Sequence, residues 1–165
     1  MSRTKAREIA LHLIFEMGFQ QFEDENLNER LDESIMASIS GDIALYAGKL
    51  SEQQTEYIRS VVKGVAGHLD ELDQTIETYA KGWKLSRLSR MTTAVLRLAI
   101  YEMRHVDDVP VSVAINEAVS LAKVYDTDEA ASFINGVLGA VARAEFPKAA
   151  PDAKKDEPKA EEGNA

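Results

Sequence analysis

No cysteine occurs in the 165 residues, which excludes disulfides, thiolate metal sites and a cysteine nucleophile. Long apolar runs are missing too: Arg97, Asn116 and Asn135 interrupt the best candidates well short of the ~20 residues that span a bilayer. The first residues lead into an amphipathic stretch carrying Glu8 and His12, not into the unbroken apolar core of a secretory signal. A soluble, cytoplasmic protein with no membrane contact is expected. There is no P-loop, no GxGxxG before a helix and no serine elbow. His12, His68 and His105 are scattered and form no metal-ligand set. No catalytic residue, metal or cofactor is therefore nominated, and an enzyme is not expected.

Positive charge is the scarcer sign. Lys and Arg number 19 against 28 Asp and Glu, for a formal net charge of -9. An acidic body repels phosphates, so general affinity for nucleic acid is disfavoured. Distribution matters more than the sum, however. Arg3, Lys5 and Arg7 crowd the start of the chain with no acid among them, a cationic corner suited to one anionic partner at one place. If a helix begins there, its backbone N–H groups point at the same spot as the cations.

What is present is helical periodicity. Ala6, Ile9, Ala10, Leu13, Ile14 and Met17 recur at i, i+3, i+4 and predict a helix from about residue 2 or 4 to residue 20. Residues 22–40 predict a short surface helix, and 41–50 a loop. Ser51 with Gln54 makes a capping-box pattern ahead of Ile58, Val61, Val62, Val65 and Leu69, so a helix should begin near Glu52. Asp70 can cap the next, striped by Leu72, Ile76 and Tyr79 and ending near Gly82. Around Trp83, Leu85 and Leu88 the pattern fits helical continuation or a buried turn.

The stretch Ala94 to Ala144 organises the rest, as three apolar helical patterns separated by short polar joints. The first is apolar on two adjoining faces and should be largely enclosed. It must stop before Val109-Pro110, because the residue preceding proline is pushed out of the helical region. The second runs from about Ser112 to Tyr125. Asp126, Thr127 and Asp128 offer caps for the third, which carries Ile134, Val137, Leu138 and Val141. Arg97, Glu102, Asn116, Glu117 and Asn135 interrupt the stripes. Buried polar groups need partners, so these five are expected to tie helices and joints together. Gly136 should let another helix approach closely. After Phe146 the composition turns to proline, charge and alanine, and residues 147–165 should be a disordered tail.

The segments AVLRLAIYEM, DVPVSVAINEAVSLAKVY and SFINGVL, in that order and spacing, with SRTKAREIALHLIFEM at the start, resemble the NusB family of transcription antitermination proteins over roughly residues 3 to 145. The resemblance implies an all-α fold of about seven helices in two packed subdomains, at about 1–82 and 83–146. It implies binding of single-stranded boxA RNA together with NusE, a small-subunit ribosomal protein, and support of the RNA polymerase elongation complex on ribosomal RNA operons. By the same resemblance Arg3, Lys5 and Arg7 should hold the phosphate backbone, and Lys123, Tyr125, Glu129 and Phe133 should lie near the bases. Phe15, Met91 and Thr92 are carried over as partner-binding residues. Exposed apolar surface on the first helix would serve a homodimer as readily as a heterodimer. Two other readings remain: a recognition module like those fused to RNA cytosine methyltransferases, disfavoured because no cofactor-binding domain follows Phe146, and a helical adaptor that has lost RNA binding.

Overall fold

In a computed structural model, residues 3–17, 29, 32–33 and 50–149 are described. The elements bounded among them are six α-helices, α1 (Arg3–Met17), α2 (Glu52–Gly67), α3 (Leu69–Tyr79), α4 (Arg90–His105), α5 (Val111–Tyr125) and α6 (Asp128–Glu145), with a 3-10 turn at Leu85–Arg87. No strand occurs among the described residues. Of the short helix expected over 22–40, only Glu29, Asp32 and Glu33 are described, and all three are helical. The loop expected over 41–50 lies outside the described residues except Leu50, and so does the tail beyond residue 149.

The local signals act where they stand. Ser51 accepts from the Gln54 N–H at 3.1 Å while the Gln54 side chain accepts from the Ser51 N–H at 2.8 Å, a closed capping box that starts α2 at Glu52. Thr127 accepts from the Ala130 N–H at 3.0 Å and starts α6. Asp70 sits inside the first turn of α3 and is not its cap; an acid there still complements the positive end of the helix dipole. The chain leaves α3 through Gly82 at φ +81°, a left-handed conformation that costs L side chains roughly 1–2 kcal/mol.

By packing, the chain divides into two units between Leu69 and Asp70. In the first, the stripe of α1 from Ala6 to Met17 is buried and packs on α2, which contributes Tyr57, Ile58, Val61, Val62 and Val65. In the second, α4 is enclosed as its two-faced pattern requires: only its end residues Arg90 and His105 are exposed, and it packs against α5 and α6, which also pack on each other. The division near residue 82 drawn from the sequence would leave α3 with the N-terminal helices. Here α3 goes with the C-terminal ones, because its acids receive two arginines of α4. Arg97 donates to both carboxylate oxygens of Asp73 at 2.7 and 2.8 Å. Arg104 reaches Glu71 at 3.2 Å, the Thr75 hydroxyl at 2.8 Å and both oxygens of Glu145 on α6 at 2.9 and 2.8 Å. Hydrogen bonding to Glu145 is the main reason the Arg104 guanidinium is held above its ordinary pKa, against the opposing effect of burial.

Among the five polar residues expected to tie the helices, Arg97 does so and Glu102 is buried at 1% exposure. Asn116 and Asn135 instead face solvent, each lying just outside the apolar stripe that it follows. A Cβ on Gly136 would meet nothing within 4 Å, so no helix approaches closely there. Trp83, expected in helix or in a buried turn, is 52% exposed in the joint between α3 and α4.

Candidate nucleic-acid interface

The first candidate surface is the start of α1, whose first turn contains no acid. Lys5 and Arg3 are half-buried there. The Arg3 guanidinium lies 4.9 Å from the centre of the Tyr57 ring on α2, and that of Arg7 lies 5.9 Å from it. A cation over an aromatic face is attracted by the ring quadrupole, so Tyr57 fixes the direction in which these long side chains leave the helix. Arg7 is only 3% exposed. It was expected to face phosphate with its two neighbours, and it is instead enclosed among the residues beneath them. Phe15, on the same helix, is half-buried.

The second candidate surface is the joint between α5 and α6. Lys123, Val124 and Glu129 are exposed, Val124 to 69%, while Tyr125 and Phe133 are half-buried. The joint is anchored to the start of α4 through Asp126, whose carboxylate accepts from the Thr92 hydroxyl at 2.7 Å. The N-cap hydroxyl of Ser89 accepts from the Thr92 N–H at 3.0 Å; its one proton can reach the same Asp126 oxygen at 3.1 Å or the Thr92 hydroxyl at 2.9 Å. Thr92 is thus buried at 4% exposure and spends its hydroxyl inside the protein, although it was expected on a partner-facing surface. Its neighbour Met91 remains half-buried.

This anchoring brings the joint before α4 beside α6. Trp83 meets Phe133 with ring centroids 5.8 Å apart and planes at 66°, an edge-to-face pair of the kind favoured by aromatic quadrupoles. Around Trp83 the chain reads Lys81-Gly82-Trp83-Lys84-Leu85-Ser86-Arg87-Leu88-Ser89-Arg90, four cations and no acid. All four are exposed. Trp83 and these cations were missed as functional candidates because apolar periodicity directed attention to core packing. The acid-free run was itself a legible signal, since no acid occurs between Glu77 and Glu102.

Among the described residues no group of three or more His, Asp or Glu could hold a metal ion. No described helix is long and apolar enough to cross a membrane.

Comparison with known proteins gives one result throughout. The model of the NusB family matches residues 4–143. The transcription antitermination protein NusB of Acetivibrio thermocellus is 45% identical over 158 residues, covering 95% of this chain and 99% of that protein. That of Symbiobacterium thermophilum is 38% identical over 143 residues, covering 87% and 90%. Among solved structures, NusB of T. maritima superposes with a TM-score of 0.71 at 29% identity, covering 94% of this chain and 98% of that one. The fold also matches, with a TM-score of 0.68 at 24% identity, a chain in a complex of the antitermination factors NusB and NusE with double-stranded RNA; the match covers 86% of this chain and 96% of that one.

Proposed function

Since the chain belongs to the NusB family, we propose that it is an RNA-binding transcription antitermination factor that acts in the cytoplasm. It binds single-stranded boxA RNA together with NusE and joins the RNA polymerase elongation complex on ribosomal RNA operons. The observation that carries RNA binding is the acid-free start of α1 on a chain of net charge -9. Arg3 and Lys5 position the phosphate backbone there, and Arg7 supports them from below. Lys123, Tyr125 and Phe133 meet the nucleotides at the other surface. Glu129, one helical turn before Phe133, offers an acceptor for a base amino group. Phosphate contacts set register while contacts to bases carry preference. The mechanism is assembly, with no bond made or broken. Met91 and Phe15, both half-buried, are the partner-facing residues. The other apolar residues of α1, expected to leave an exposed face for a homodimer, are buried, so Phe15 is the apolar group of that helix for which a homodimer would compete with NusE.

The test is fluorescence anisotropy of a labelled boxA-like RNA oligonucleotide with the full chain, with and without NusE, in a salt series. Each phosphate contact to a single strand contributes about -0.7 to the log–log salt slope, so replacing Arg3 and Lys5 together by alanine should flatten it by roughly 1.4. Wild-type binding that does not respond to salt would refute the proposal.

A further inference from the structure

The second unit has an exposed tryptophan on a strip of exposed cations. Trp83 is 52% exposed although indole is among the costliest side chains to leave in water, and its one described ring contact is the edge-to-face pair with Phe133. Lys81 and Lys84 flank it closely and Arg87 lies a few residues on, all exposed, within a run that holds no acid on an otherwise acidic chain. The anchoring of Asp126 to Ser89 and Thr92 holds the two sides of this surface together. Positive charge beside exposed aromatic faces is the combination that binds single-stranded nucleic acid: cations follow the backbone and every base has a face to stack.

We propose that the joint 81–90 is a nucleotide platform, in which Trp83, braced by Phe133, takes one unpaired base while Lys81, Lys84 and Arg87 take the neighbouring phosphates. This assignment rests on the RNA-binding reading above and adds to it a stacking residue and a second cationic element. The 3-10 turn at Leu85–Arg87 shortens the chain between the cations, so they are spaced along a short path. A protein partner would also welcome an exposed indole, but four cations and no acid favour a polyanion.

Trp83 is the only tryptophan in the chain, so the protein reports on the site by itself. The experiment titrates full-length protein with the boxA-like RNA oligonucleotide, with NusE present and absent, and follows both RNA anisotropy and intrinsic tryptophan emission; NusE emission is subtracted from a matched Trp83→Phe titration. Stacking predicts quenching of Trp83 that saturates with RNA binding. Trp83→Ala should weaken binding by about 5- to 150-fold, the range for losing one base stacked on an aromatic ring. Trp83→Phe should restore most of the affinity, and circular dichroism melting should be nearly unchanged because the ring is on the surface. Lys84→Gln with Arg87→Gln should reduce the salt slope by about 1.4 while leaving the quench at saturation intact.

If wild type binds RNA and Trp83→Ala binds equally well without any quench in wild type, the platform is refuted while the RNA-binding function stands. Quenching by NusE alone, with RNA affinity insensitive to Trp83, would assign the surface to a protein partner and also overturn the proposal. No RNA binding by wild type in either condition removes both readings together.

Discussion

Arg97 of α4 grips Asp73 of α3 through two parallel hydrogen bonds, Nε to Oδ1 at 2.7 Å and Nη2 to Oδ2 at 2.8 Å. Both side chains are mostly shielded, at 18% and 23% exposure, so water competes poorly for either. Paired planar groups of this kind are stronger than neutral hydrogen bonds and fix orientation as well as distance. Replacing Arg97 by leucine leaves the Asp73 carboxylate without this partner and should destabilise the fold by about 1.5–3 kcal/mol. Thermal melting should register the loss while RNA affinity, measured well below the new midpoint, stays near wild type. A large loss of affinity at an unchanged melting temperature would make Arg97 a binding residue instead.

Arg3 and Lys5 differ from Arg7 in exposure, and the three should separate experimentally. Arg7→Ala removes a guanidinium that is 3% exposed near the Tyr57 ring, losing packing along its stem as well as charge. The melting temperature should therefore fall. Lys5→Ala should leave melting almost unchanged and lower RNA affinity more at low salt than at high salt. Equal effects of both variants on melting would contradict this division of labour.

The cluster of Ser89, Thr92 and Asp126 joins the start of α4 to the joint before α6. Thr92→Val keeps the shape and removes the hydroxyl, at a cost of about 1 kcal/mol. Asp126→Ala should cost at least as much. Because the two share one hydrogen bond, the double variant should be less destabilised than the sum of the singles; strict additivity in a double-mutant cycle would show that the 2.7 Å contact contributes nothing.

His12 introduces a pH dependence. Burial is the main cause that lowers its pKa from 6.5, partly offset by the charges of Glu8 and Glu16. A depressed histidine favours the neutral form in the folded state. Stability is then fully present above pH 6.5, where folded and unfolded chains are both neutral, and it declines as pH falls through 6.5 toward the lowered folded value, because the unfolded chain takes the proton first. Melting temperature should drop between neutral pH and pH about 5, and His12→Gln should show a shallower drop. Identical pH profiles for the two proteins would exclude this source.

Much of the fold was readable from neighbours in sequence. The capping box at Ser51 and Gln54, the Thr127 cap, the stop before Val109-Pro110 and the enclosure of α4 all depend on residues within a turn or two of one another, where backbone geometry dictates who can meet whom. The helix ends that carry the candidate residues were readable for the same reason: periodicity and caps put Arg3 and Lys5 at the start of α1 and Lys123 and Tyr125 at the end of α5, and the acid-free run from Lys81 to Arg90 was equally open to reading.

Which polar and aromatic groups would be spent inside the protein was settled only by packing. Arg97 and Asn135 both interrupt apolar stripes, yet one finds Asp73 across a helix interface and the other faces water. Arg7 and Thr92 carry the residue types of surface contacts and are enclosed, whereas Trp83 has the residue type of a core and lies open beside Phe133. Periodicity specifies the direction in which a side chain leaves its own helix. It carries no information on what stands opposite, because that partner comes from a remote part of the chain and is brought near only when burial of the apolar faces selects one arrangement of helices.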